Sequence, residues 1–265
     1  MNELVSMREQ VYTDPRPKEH FDRFHERART HEPDWTYEVT RLLMSLYAYT
    51  LLRTRAIAPE NVPQSGPVIL APNHFSFMDH FLAGCYLRRK IRFMAKSQLF
   101  KRPMQFVYSH GGVFPVRRGA RDEETFTTAK ILLDRGAAVL MYPEGGRSRT
   151  GNLATQAKRG IGRLALETGV PVVPIAVFGS ARVRNWKRLQ FPKITVQYGE
   201  AMCWERVDDP TPDQQQAVAD EILAETRLMY SGLQEKGRKG VLQGVREQQR
   251  SARRASRRAD SAAAA

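Results

Sequence analysis

Between Asn73 and Asp79 the chain reads Asn-His-Phe-Ser-Phe-Met-Asp, and this stretch holds the residue pair best suited to chemistry. On one continuous helix His74 and Asp79 would lie about 140° apart, at roughly 100° per residue. They meet only if His74 sits in a loop and Asp79 in the first helical turn. Ser76 is a suitable N-cap, which would start the helix there and put Asp79 at its N3 position. A carboxylate on one ring nitrogen fixes the tautomer and stabilises the imidazolium formed when the other nitrogen takes a proton. Such a pair is a general base. A plainer reading stays open at this point: Asp79 closes a capping box with Ser76, and His74 bonds to backbone.

Two further stretches carry charge at the ends of apolar runs. Gly111–Val116 leads into Arg117, and Ala137–Tyr142 leads into Pro143-Glu144-Gly145-Gly146-Arg147-Ser148. In open α/β sheets ligands bind beyond the carboxyl ends of the strands, so His74 with Asp79, Arg117, and Glu144 with Arg147 are expected along one edge. Two guanidinium groups there suit a phosphate; the alternative for each is an ion pair with Glu144 or Asp122.

The elements that must position these groups are legible as apolar periods. Pro67–Ala71, Ile91–Ala95, Gly111–Val116, Ala137–Tyr142, Val172–Phe178 and Ile194–Tyr198 read as strands. Helical stretches follow the first of them through about Arg88, and cover Thr125–Asp134, Gln156–Glu167 and Asp213–Tyr230. The Thr125–Asp134 helix ends at Gly136 and the Gln156–Glu167 helix at Gly169, and strands alternating with helical stretches imply βα units. The expected fold is a single α/β domain with a mostly parallel or mixed central sheet flanked by helices, preceded by an amphipathic N-terminal helical segment.

Four regions are expected: a polar arm over 1–34, an amphipathic helix over 35–58, a catalytic domain over 59–231 and a disordered basic tail over 232–265. In the second region Trp35, Val39, Leu42, Leu46 and Tyr49 recur at helical spacing beside Arg41 and Arg53. That stripe either packs on the core or lies in a membrane interface. The chain has 265 residues and a net charge of +14, of which residues 231–265 supply nine basic and three acidic side chains. The rest is therefore basic too, which points to an anionic partner: nucleic acid, a membrane face or a phosphorylated substrate. The two cysteines, Cys85 and Cys203, are too few for a disulfide scaffold or a cysteine zinc site. No apolar run reaches the roughly 18 residues of a membrane span, and Met1-Asn2-Glu3-Leu4 does not begin a signal peptide, so no export is expected. With no helix-turn-helix, zinc-finger or RNP pattern, no nucleic-acid partner is expected.

Taken together and in order, these blocks resemble the glycerolipid acyltransferase family. Its NHxxxxD motif matches His74 and Asp79, and its second block matches Gly112, Phe114 and Arg117. Its FPEGxRS block matches Pro143, Glu144, Gly145, Arg147 and Ser148, with Tyr142 in place of phenylalanine. Its VPxxP block matches Pro171 and Pro174, and weaker echoes fall on Lys96 and on Lys158-Arg159-Gly160. The resemblance covers roughly residues 60–200. It implies the glycerolipid acyltransferase fold and transfer of a fatty acyl group from acyl-CoA or acyl carrier protein to the hydroxyl of a lysophospholipid. The expected acceptor is 1-acylglycerol-3-phosphate, giving phosphatidic acid; a glycolipid or another lysolipid is the alternative.

On that resemblance His74 is the base and Asp79 orients it. Arg117, Arg147, Lys96, Glu144 and Gly145 bind substrate, and Pro171 and Pro174 mark the acyl or oxyanion region. Backbone N–H groups near that fourth block are candidate oxyanion donors. No cofactor or metal is expected, and no G-x-S-x-G elbow argues for an acyl-enzyme. Attachment is expected to be peripheral, at an anionic membrane surface on its cytoplasmic face.

Overall fold

The computed structural model describes residues 4–5, 13–117 and 122–263. Residues 1–3 and 6–12 of the expected arm, and the last two of the expected tail, lie outside the described residues. The strands are β1 (Arg55–Ile57), β2 (Val68–Pro72), β3 (Ile91–Lys96), β4 (Val113–Val116), β5 (Ala138–Leu140), β6 (Val172–Phe178) and β7 (Thr195–Tyr198). They form one mixed sheet in the order β1-β7-β6-β2-β5-β3-β4. From β6 to β4 all neighbours are parallel, whereas β7 runs antiparallel to β6 and β1 parallel to β7. The carboxyl ends of β2, β3, β4, β5 and β6 therefore share one edge.

Helices cover both faces, which is why the central strands read as unbroken apolar runs. The helices are α1 (Asp22–Thr30), α2 (Trp35–Thr50), α3 (Asp79–Gly84), α4 (Met104–His110), α5 (Glu123–Asp134), α6 (Gly160–Thr168) and α7 (Pro212–Ala263). Ile69 and Ala71 of β2 pack with Leu132, Ile161 and Ile222 from α5, α6 and α7. Val68 and Leu70 point the other way, onto Ala48 of α2 and Leu82 of α3. The alternation is the two-residue period of a strand. Helices α6 and α7 touch closely at Gly162, where a Cβ would stand 1.9 Å from the Gln215 carbonyl oxygen.

Two expectations about the chain ends need correction. The part of the arm described is folded: Phe21, just before α1, and Phe24 and Ala28 within it are buried, and His25 Nδ1 lies 2.9 Å from Thr128 Oγ1 on α5. Pro15 and Pro17 precede the helical residues, which begin at Lys18. The segment expected as a disordered tail is helical through Ala263, with a break at Gly237 (φ 64°). Leu233 is buried beside Ile57 and Ala176, with Val241, Leu242 and Val245 packed around them. Arg238 donates from Nε to Thr195 Oγ1 at 2.9 Å and from Nη2 to the Ile194 carbonyl at 2.6 Å. The tail is rich in Arg, Gln and Ala, good helix formers whose charges sit on a solvated face. Its few apolar residues suffice to cover the edge strand.

Helix α2 is capped by Asp34, whose carboxylate accepts from Thr36 N at 3.0 Å. Its inner face buries Tyr37 and Ala48. The stripe singled out in the sequence lies on the other face, with Trp35 66%, Leu42 61% and Leu46 52% exposed. Of the two readings, core packing is the one the structure rejects for that stripe. Among the described residues no helix is long and apolar enough to cross a membrane.

Candidate active site

Pro72 ends β2; Asn73 N still donates to the Ile175 carbonyl at 3.3 Å, and the Asn73 side chain carries the ladder one step further. Asn73 Oδ1 accepts from Val177 N at 2.7 Å and its Nδ2 donates to the Val177 carbonyl at 3.3 Å. The backbone is thereby freed to turn, and His74 emerges at the sheet edge. Its Nδ1 lies 3.0 Å from Asp79 Oδ2. The same oxygen accepts from Phe75 N at 2.6 Å and Ser76 N at 2.7 Å.

Both sequence readings of Asp79 are thus satisfied by one atom. The carboxylate closes the turn and orients the imidazole together. The helix start differs from expectation: α3 begins at Asp79, and Ser76 Oγ accepts from Met78 N at 3.1 Å inside the preceding turn. A loop one turn longer is what lets the carboxylate reach back to His74.

His74 is fixed on every other side as well. Its N–H donates to Glu144 Oε1 at 2.7 Å, and its carbonyl accepts from Ser148 N at 2.8 Å. The Tyr142 ring stacks on the imidazole with centroids 3.7 Å apart and planes 14° from parallel. Only 8% of His74 is exposed. Glu144, with its two oxygens, holds the backbone N–H groups of His74 and, at 3.2 Å, Ala154. Burial pushes its pKa up to about 7, outweighing the two amides that favour the ionised form.

A polar cavity of about 620 Å³ opens on one side of this centre, lined by Glu144, Gly145, Arg147, Ser148, Asn152 and Lys158 among others. Gly145 has φ 66°, and a Cβ there would stand 2.6 Å from Lys158 Cγ, so the turn takes glycine. On the other side lies an apolar groove of about 340 Å³, walled by α2, α3, β3 and α4 and bounded by Tyr142. His80 also lines it, with burial pushing its pKa down to about 3, so the ring is neutral at ordinary pH. His74 touches the lining of both, through Tyr142 stacked on its ring on the groove side and Glu144 bonded to its backbone N–H on the other.

Not all expected residues converge. Arg147 lines the polar cavity, but its lining contains neither Lys96 nor Arg117. Lys96 ends β3, two strands from β2, and Arg117 follows β4, three strands away. At roughly 4.8 Å per step the Arg117 backbone stands about 14 Å from the His74 strand. Its N–H donates to Asp122 Oδ2 at 2.6 Å.

Pro171 and Pro174 line neither of the two cavities. Pro171 precedes β6 at the opposite end of the sheet from His74, and its carbonyl accepts from Ile69 N at 2.9 Å. Pro174 sits mid-strand where the register with the β7 segment slips by one residue between Ile175–Tyr198 and Val172–Met202. A residue without N–H is tolerated at such a slip. The fourth-block amides are also occupied: Val172 N donates to Met202 O and Val177 N to Asn73 Oδ1. Asn73, Tyr142, His80 and Arg184 were not singled out by spacing. Their signal is three-dimensional, since each acts on a segment remote in sequence or on a ring face.

Residues 53–178 match the family described as Acyltransferase. The chain is 32% identical over 149 residues to the chloroplastic 1-acyl-sn-glycerol-3-phosphate acyltransferase BAT2 of Brassica napus, covering 55% of this chain and 43% of that protein. It is 27% identical over 161 residues to the human 1-acyl-sn-glycerol-3-phosphate acyltransferase beta, covering 57% and 56% respectively. The chain thus spans about half the length of these curated relatives. In fold it is similar to the 1-acyl-sn-glycerophosphate (LPA) acyltransferase PlsC of Thermotoga maritima, with a TM-score of 0.55 and 20% identity over 79% of this chain and 88% of that one. Residues 53–178 thus match the acyltransferase family, and the chain resembles the 1-acyl-sn-glycerol-3-phosphate acyltransferases.

Proposed function

We propose that this protein moves a fatty acyl group from a thioester to the hydroxyl of a lysophospholipid, with 1-acylglycerol-3-phosphate as the acceptor and phosphatidic acid as the product. The observation that carries the reading is the His74–Asp79 pair held between Tyr142, which bounds the apolar groove, and Glu144, which lines the polar cavity together with Arg147. Such a junction suits one reactant with a long chain and another with a charged headgroup. The names of the relatives supply the acceptor. Acyl-CoA or acyl carrier protein is the donor.

In this scheme the acyl chain lies in the groove and the acceptor phosphate meets Arg147 in the polar cavity. The acceptor oxygen attacks the thioester carbonyl while its proton passes to His74 Nε2, opposite the Asp79 contact. The tetrahedral intermediate collapses with cleavage of the C–S bond, and the imidazolium returns the proton to the departing thiolate. Asp79 holds the tautomer that makes Nε2 basic and stabilises the charge that forms. No enzyme-bound acyl group is needed.

Attachment is peripheral and on the cytoplasmic face of the membrane. The exposed face of α2, with Trp35, Leu42 and Leu46, borders the groove, and the basic balance of the chain draws it to anionic lipid. Thiol release from a long-chain acyl-CoA or acyl carrier protein, measured with and without lysophosphatidate, tests the function. Acceptor-dependent release supports it. Release indifferent to every lysolipid offered, or none from either donor, counts against it.

A further inference from the structure

Arg184 lies beyond the family-matched segment, in the 3-10 turn Ser180–Arg188 that follows β6. All three of its guanidinium nitrogens are used on backbone carbonyls. Nε donates to the Phe75 carbonyl at 3.0 Å, Nη1 to the Arg149 carbonyl at 2.9 Å, and Nη2 to the Ser148 carbonyl. Phe75 follows His74 directly, and Ser148 and Arg149 follow Arg147. A single side chain therefore joins the loop that carries the general base to the loop that lines the polar cavity. Among the described residues the backbones of those loops are linked where Ser148 N donates to the His74 carbonyl at 2.8 Å. Arg184 is also near enough to Arg147 and Asp79 for both charges to bear on it.

We propose that Arg184 is a positioning residue that sets the distance between His74 and Arg147, and so the register in which the acceptor presents its hydroxyl to the base. The inference rests on the acyl-transfer reading. An acceptor bound by its headgroup at one loop and attacked at the other has its near-attack geometry fixed by whatever ties the loops together, and a misplacement of about 1 Å can cost about 100-fold. The donor groove depends less on this tie, because most of its wall comes from α2, α3, β3 and α4, with Phe77 the contribution of the His74 loop. The planar guanidinium satisfies three divergent acceptors, which an ammonium on a flexible stem cannot reproduce.

The experiment compares wild type, Arg184→Ala and Arg184→Lys, varying lysophosphatidate and acyl-CoA separately. For Arg184→Ala, kcat/KM for the acceptor is expected to fall about 10–100-fold, with KM for the donor within about twofold of wild type. Millimolar guanidinium should recover part of the loss in Arg184→Ala, and Arg184→Lys should remain impaired. Amide hydrogen exchange, which needs no activity, should rise in residues 73–78 and 147–153 while the core strands stay protected. Unchanged kinetics overturn the proposal. So does a parallel loss for both substrates with a lowered melting temperature, the mark of a merely structural role. If the wild-type chain transfers no acyl group, the functional reading fails, and unaltered exchange in the two loops would separately overturn the tie.

Discussion

Glu144→Gln gives a pH-dependent stability change whose sign follows from burial. Glu144 is 9% exposed and its pKa stands at about 7, against 4.5 for the free side chain. The folded state therefore holds this proton more tightly than the unfolded state. Its contribution to stability is fully present below pH 4.5, declines as pH rises, and is lost above about pH 7. Between pH 5 and pH 8 the loss is about 2.5 kcal/mol. Glutamine carries no titration there, and every other group is common to the two proteins. Urea unfolding at intervals across this range should show Glu144→Gln gaining about 2.5 kcal/mol relative to wild type as pH rises. Whatever constant offset comes from losing one acceptor for Ala154 N–H cancels in that slope. A difference that stays flat with pH would refute the reasoning. It would mean that the two backbone amides keep the carboxylate ionised despite its burial.

Asp79→Asn should lower kcat by about 10³–10⁴-fold, the scale seen when the orienting carboxylate of a Ser-His-Asp triad becomes an amide; steady-state kinetics on folded protein check it. Ala95→Phe, in the groove wall, should favour shorter acyl chains. Each methylene denied burial costs about 0.8 kcal/mol, so three shift the long-to-short ratio roughly 50-fold, read in a mixed-donor competition. The double variant Leu42→Ser and Leu46→Ser should weaken binding to anionic vesicles at least about 10-fold per leucine, with little change in melting temperature because both are already exposed.

The sheet was largely legible because its strands are buried on both faces and so read as β-branched runs; Val172–Phe178 appears in the structure with the expected ends. Three-residue β1 is too short to carry a period. Helix α1 was hidden by surrounding charge, although Phe21, Phe24 and Ala28 do recur at helical spacing. The C-terminal helix shows the same error, since charge density was taken for absence of structure while Leu233, Val241, Leu242 and Val245 were enough to dock it.

At the site, the five-residue spacing of His74 and Asp79 correctly demanded a loop-to-helix junction, but the loop proved longer than the Ser76 cap implied. The bracing of two loops by Glu144 has no signal in the sequence, because its partners are backbone amides 70 and 10 residues away. Spacing could not tell that Arg117 follows an outer strand, since strand order is a property of the whole sheet. Arg184 acts only through carbonyls, which no residue pattern encodes.

The central claim is that His74 is the base of an acyl transfer. Its most direct test is formation of phosphatidate from acyl-CoA and lysophosphatidate by wild type and by His74→Ala, with both shown to be folded. The account predicts acceptor-dependent product from wild type and a loss of at least about 100-fold in the variant, the lower range for general-base catalysis. Equal rates from the two proteins would contradict it.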